Sequence, residues 1–214
     1  MILAPIVPKL LSVRRLPNAS PELVRAYGGD PARHVSLGLV TCDQDDALYV
    51  ALDEATKQAP VDVIFAKSFY AGAAHASGRL SGEILGVIAA PEPEAIEHGL
   101  AAIAACLAHD ACFYDADGKG TVTVFPHVIA SLGTYLSREA GLAPGDAMAY
   151  LVAPPIEASI AIDAALKAAD VRAVRIAPPP SETNFASAWL TGTLDACEAA
   201  ATAFAAAVVE VAAG

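Results

Sequence analysis

Residues Ala51–Ala66 read ALDEATKQAPVDVIFA, and Ala161–Ile176 read AIDAALKAADVRAVRI. Ala51, Asp53, Ala55, Lys57, Ala59 and Val61 recur as Ala161, Asp163, Ala165, Lys167, Ala169 and Val171, all at an offset of 110. Alanine matches carry little weight in a chain this rich in alanine. The Asp and Lys pairs at one spacing, followed in both places by the same change of pattern, point to an internal duplication. Good helix formers fill Leu48–Ala59 and Ser159–Ala169, and Pro60 and Asp170 stand where those helices should stop. The β-branched runs Val61–Phe65 and Val171–Ile176 follow as strands.

A second match fixes where the copies differ. Glu94-Ala95-Ile96-Glu97 returns as Asp195-Ala196-Cys197-Glu198 at an offset of 101, so the first copy carries nine extra residues between strand and helix. They fall in Lys67–Gly82, KSFYAGAAHASGRLSG, a Gly, Ser and Ala run with the composition of a loop. Its counterpart, Pro178–Asn184, is stiffened by three prolines. The division expected from the repeat is 1–110 for one domain and 111–214 for the other, each of ordinary domain size.

Working outward, Met1–Leu16 suggests an edge strand or an extended arm, and Ser20-Pro21 reads as the cap and first position of a short helix ended by Gly28-Gly29. Ser36–Thr41 is a strand. Asp43, Asp45 and Asp46 precede the repeated helix, either capping its free N–H groups or leaving a surplus of carboxylate for a cation or amine. Strand Glu83–Ala89 and helix Pro93–Leu107 close the first copy. Strand Thr121–Phe125, helix Val128–Glu139, strand Met148–Val152, strand Trp189–Leu194 and helix Ala196–Val211 belong to the second.

With 214 residues, 55% of them hydrophobic, the chain can bury about 70% of its unfolded surface. A formal charge of −11 argues against nucleic-acid binding and permits attraction of small cations. Met1–Pro8 has no basic leader, and no apolar run of membrane-spanning length is free of proline or charge, so a cytoplasmic protein that neither crosses nor binds a membrane is expected. Four scattered cysteines fit a reducing compartment. Cys106, His109 and Cys112 offer only three local donors, so buried thiols are expected there and no metal. Asp115–Gly118 starts like a calcium loop but has its glycine misplaced and Pro126 at the closing position, which makes it a turn. No nucleophile elbow, phosphate loop or dinucleotide fingerprint occurs, and no cofactor is expected.

The pieces Ser36–Val40, Asp53–Ala59, Ser68–His75, Ala149–Pro155, Asp163–Lys167 and Pro179–Asn184, in this order, resemble the tandem-domain shell proteins of bacterial microcompartments. Within that group the EutL type of the ethanolamine-utilisation compartment is the most similar. The resemblance implies an α+β fold of two tandem, circularly permuted domains related to the ferredoxin-like fold, each a four-stranded antiparallel sheet with packed helices. It further implies a structural protein and no enzyme: a homotrimer closing a pseudohexagonal ring that tiles with other shell hexamers in a bacterial cytoplasm.

On that reading Lys57 and Lys167 are edge contacts, or else solvated helix charges. The loop Lys67–Gly82 is a gate at the three-fold axis, with Phe69, Tyr70, Ala71, Gly72 and His75 blocking or lining it, or else an ordinary surface loop. A small pore for ethanolamine is assigned by the resemblance to Asp45, Asp46, Glu83, Phe113, Glu182 and Thr183. Carboxylates suit the ammonium, Thr183 the hydroxyl and the Phe113 ring the methylenes or the cation. A trimeric sensor that binds the same amine without tiling is the alternative, and an enzyme using Asp45, Asp46 and Glu83 as acid and base is a third.

Overall fold

The computed structural model describes residues 3–69, 83–179 and 185–213, with only the backbone of Phe69 and Glu83. The chain forms two compact units. The N-terminal unit comprises Pro8–Ala111 together with Gly133–Leu136, and the C-terminal unit comprises Met1–Val7, Cys112–Leu132 and Ser137–Gly214. The division expected at residue 110 therefore carries two exchanges. Residues at the start of the chain join the C-terminal unit because β1 (Ala4–Ile6) pairs with β6 (Phe113–Asp115). Gly133–Leu136 join the N-terminal unit through hydrogen bonds described below.

In the N-terminal unit β2 (Leu10–Leu16), β3 (Ser36–Cys42), β4 (Asp62–Phe69) and β5 (Glu83–Ala90) form an antiparallel sheet in the order β2-β3-β5-β4. The extended N-terminal segment is thus an edge strand. Side chains alternate across the sheet as strand geometry demands. Leu37, Val87 and Ala89 face α1 (Pro21–Ala26) through Val24, while the opposite face meets α2 (Asp45–Gln58) and α3 (Pro93–His109). On that second face two glycines let the helices close in. A β-carbon on Gly38 would lie 2.9 Å from both Ile88 and Ile96, and one on Gly86 would lie 2.9 Å from Leu52 and 3.2 Å from Val40. Leu48, Leu52, Ile96 and Ile103 fill the layer and are fully or almost fully buried.

The C-terminal unit repeats the order: β7 (Thr123–Ile129), α4 (Thr134–Ala140), β8 (Ala147–Ala153), α5 (Pro155–Ala168), β9 (Arg172–Ala177), β10 (Ala186–Gly192) and α6 (Leu194–Ala213). Its strands run β7-β8-β10-β9, the order of the first sheet, extended at one side by β6 and β1. The duplication reaches individual torsions. Ala59 ends α2 at φ −144°, ψ 152°, and Ala169 ends α5 at φ −148°, ψ 159°. Each is followed by the same short turn, Val61 N–H to Ala59 C=O and Val171 N–H to Ala169 C=O.

Two expected elements come out differently. The helix expected over Val128–Glu139 begins only at Thr134, because Val128 and Ile129 continue β7 by pairing with Ala149 and Met148 of β8. Ladder hydrogen bonds outweigh the helical spacing of Val128, Leu132 and Leu136. The expected strand Trp189–Leu194 lies earlier, over Ala186–Gly192, in register with β8. The C-terminal helix is also longer than expected: at 20 residues α6 has the length and composition of a membrane-crossing helix. Cys197, Ala200, Ala201, Phe204, Ala205 and Val208 recur at helical spacing along its buried face, and all but Ala205 belong to the unit's main core cluster.

The close approach at Gly86 generates a first prediction. Gly86→Val should overpack the Leu52–Val40 contact and lower the free energy of unfolding by about 1–3 kcal/mol, read from urea denaturation.

Candidate functional site

The acidic turn expected to cap the repeated helix is built otherwise. Helix α2 starts at Asp45, and its N-cap is Gln44, whose side chain makes no capping bond. Asp43 lies before the helix and accepts the Lys9 N–H at 2.7 Å, tying β2 to the turn. Asp45 accepts the Asp46 N–H at 2.9 Å. Asp45 and Asp46 are 3% and 8% exposed, so the two carboxylates sit inside the unit at the positive end of a helix, which favours their charge. One turn on, the Tyr49 hydroxyl accepts the Ser68 N–H at 3.1 Å and pins the end of β4 to α2. Next to this turn, burial and the neighbouring Asp43 push the Cys42 thiol up to about 12.

A third acid on α2 has a defined structural task. Asp53, 1% exposed, accepts the Gly133 N–H at 2.7 Å and the Leu136 N–H at 2.8 Å. Thr56 accepts the Thr134 N–H at 3.0 Å and donates its hydroxyl to the Asp53 carbonyl at 2.7 Å. Three amides at the start of α4 are thus satisfied from α2. A side chain at residue 133 is excluded, since a β-carbon there would lie 2.4 Å from the Thr56 hydroxyl and 2.6 Å from the Asp53 carbonyl. Burial raises the Asp53 carboxyl above its ordinary value, and the Gly133 and Leu136 amides offset part of that rise.

A BMC domain model matches residues 36–113. The bacterial microcompartment shell protein EutL of Clostridium perfringens is 48% identical over 207 residues, covering 97% of this chain and 95% of that protein. The chain belongs to the EutL family of bacterial microcompartment shell proteins. A crystal structure of EutL from Clostridium perfringens superimposes with a TM-score of 0.93 at 47% identity, covering all of this chain and 97% of that one. The EutL structure from Leptotrichia buccalis gives the same TM-score at 46% identity, covering all of this chain and 98% of that one. The expected fold class therefore holds for this EutL-family chain: α+β, two tandem permuted BMC domains, each built on an antiparallel sheet.

Four of the six residues assigned to the small pore fall within the described residues, three in the N-terminal unit and one in the C-terminal unit. Asp45 and Asp46 lie together in the N-terminal unit, where Glu83 opens β5 opposite Phe69 of β4. Phe113 belongs to the C-terminal unit, fully buried with its ring centroid 5.0 Å from Phe125 and 6.2 Å from Phe185. Glu182 and Thr183 lie outside the described residues, as do Tyr70, Ala71, Gly72 and His75 of the expected gate. A cleft of about 350 Å³ in the N-terminal unit, lined by Arg15, Pro17, Ser36, Leu37, Pro93, Ile96 and Glu97, contains none of the expected pore residues.

The repeated lysines differ in what they touch. Lys57 pairs with Glu54 three residues earlier and is one-quarter exposed, whereas Lys167 pairs with Asp163 at 2.5 Å and is 73% exposed. In the first copy Asp53 is engaged by amides, which leaves its lysine to another acid. Asp115 forms the expected turn, accepting the Asp117 and Gly118 amides at 3.1 and 2.9 Å. Among the described residues no three His, Cys, Asp or Glu come together as a metal site. Cys106 is buried, and burial pushes its thiol up to about 12, while Cys112 is only half-buried. The sequence marked Asp53 only as half of a repeated pair; the signal for its role was Gly133 directly before the helix, a position with no side chain to cap it.

Asp53→Ala should cost about 1–3 kcal/mol, since it leaves two buried amides without their acceptor. Its pH signature has a definite sign. With the folded carboxyl raised above 3.8, the stability it contributes is fully present below that value and is lost as pH rises through the raised native value. The stability of wild type relative to Asp53→Asn should therefore decline as pH rises above 3.8 in urea titrations. A constant difference would contradict the burial argument.

Proposed function

We propose that this chain is a structural tile of a bacterial microcompartment shell in the cytoplasm, not an enzyme, and that it works without a cofactor. The carrying observation is one unit made twice in a chain that shares 45–48% identity over 97% of its length with EutL shell proteins. Two like lobes per chain allow three copies to close a ring of six, and a closed ring with equivalent outer edges can pack against neighbouring hexamers. The BMC domains of this tile are residues 1–110 and 111–214, with the two short exchanges already described.

In this reading a small metabolite with the chemistry of ethanolamine passes through acidic openings of each subunit. Asp45 and Asp46, with Glu83 and Glu182, supply negative charge for an ammonium; Thr183 meets a hydroxyl and Phe113 an apolar stem. The 67–82 segment, with Phe69, Tyr70, Ala71, Gly72 and His75, gates the axis of the ring. Lys57 and Lys167 serve the tile edges. Support for the acidic opening comes from the two carboxylates held side by side in the first turn of α2.

Electron micrographs of the purified protein, alone and with a hexameric shell protein, should show sheets or closed shells, and discrete particles only would favour an amine sensor. Calorimetry should give weak, saturable ethanolamine binding with no turnover. Asp45→Asn and Asp46→Asn should each weaken that binding by about tenfold or more, the scale of one charge-assisted hydrogen bond. Unchanged affinity in both variants would remove the pore assignment.

A further inference from the structure

The cleft of about 350 Å³ in the N-terminal unit lies between the end of β2, the start of β3 and the first turns of α3. Asp45 and Asp46, and the paired strand ends Phe69 and Glu83, lie beyond the other end of β3, so the cleft is separate from the acidic opening. Arg15 stands opposite Gly38 on the face of the sheet that α3 covers, and it forms an ion pair with Glu97 of α3. Both side chains line the cleft and both are 57% exposed. Ser36, 1% exposed, donates its hydroxyl hydrogen to the Pro17 carbonyl at 2.8 Å, so its oxygen can only accept from a further group. Pro17, Pro93 and Ile96 supply apolar wall, and neither proline has an N–H to offer.

We propose that this cleft binds a free amino acid with an apolar side chain, in its zwitterionic form. An ion pair already satisfied within the protein sets the charge that a ligand must carry. A lone anion would take Arg15 and leave Glu97 without its partner, and a lone cation would do the reverse. A zwitterion replaces one pair by two. Its carboxylate meets the guanidinium fork of Arg15, and its ammonium meets Glu97 with the Ser36 oxygen as a second acceptor. Opening the original pair costs little, because ion pairs this exposed contribute little. The apolar side chain then lies against Pro17, Pro93 and Ile96, in a volume suited to a small metabolite. The second copy of the unit keeps the carboxylate without its complement. Glu198 stands for Glu97 and Leu194 for Pro93 at the offset of 101, but β8 begins with Ala147 where β3 begins with Ser36. Opposite Ala149, where Arg15 would stand, β7 has Val128. The frame was made twice and the charge pair once, so the fold does not require Arg15 and Glu97 to face each other.

The test is calorimetric titration of the full-length chain with L-leucine, leucinamide and 4-methylpentanoate, which share an apolar body and carry both charges, the cation alone and the anion alone. Leucine should bind saturably, one per chain, and at least ~10-fold more tightly than either of the others. Arg15→Gln and Glu97→Gln change exposed positions and should keep the fold by circular dichroism, and each should weaken leucine binding by about tenfold. Ethanolamine, titrated in parallel, should bind Glu97→Gln as it binds wild type, since that residue lies outside the acidic opening. Absence of leucine binding, equal affinity for the three probes, or unchanged leucine affinity in both variants would each overturn the cleft assignment, whatever ethanolamine does.

Discussion

The carboxylate of Asp53 receives two main-chain N–H groups at the start of α4, and Thr56 receives a third between them. Glycine at residue 133 offers no capping side chain, so without Asp53 the buried Gly133 and Leu136 amides would lose their acceptor, and each unpaired buried amide costs more than an ordinary hydrogen bond returns. Meeting that demand from α2 has three consequences. Gly133 must be glycine, Asp53 must stay buried against its own desolvation, and Lys57 must find a different acid. The arrangement explains why a pair of residues repeated at one spacing does different work in the two halves.

Around that contact the fold is a matter of layers. In both units two long helices lie on one face of an antiparallel sheet, and alternation along the strands decides which side chains they meet. In the N-terminal unit the approach is close enough that strand positions facing Leu52 and Ile96 hold glycine. In the C-terminal unit alanines at Ala149, Ala153, Ala161 and Ala165 take the same part, and Phe204 and Leu151 fill what they leave. Small residues in the helix–sheet layer are a shared solution reached with different residues.

The start of α2 combines two features that normally oppose each other. Asp45 and Asp46 are withdrawn from water, which disfavours charge, yet they occupy the first turn of a 14-residue helix, which favours it. Tyr49 on the same helix holds the end of β4, so this turn and the strand leading to the expected gate share one rigid support.

The chain by itself determined the duplication, the order of its elements and the family, because helix formers, stop residues and β-branched runs are local signals and they occur twice at one offset. It also marked the acidic turn and the Asp115 turn, whose chemistry lies in neighbouring residues. Only the tertiary structure decided that Val128 and Ile129 belong to a strand, since their pairing partners lie in β8, some twenty residues away in the chain. Only it decided that Gly133–Leu136 are held by Asp53 and that the equivalent Asp163 faces solvent, because hydrogen bonds spanning 80 residues leave no periodic trace. A local pattern records what each segment prefers; which partner satisfies its backbone is settled by the fold.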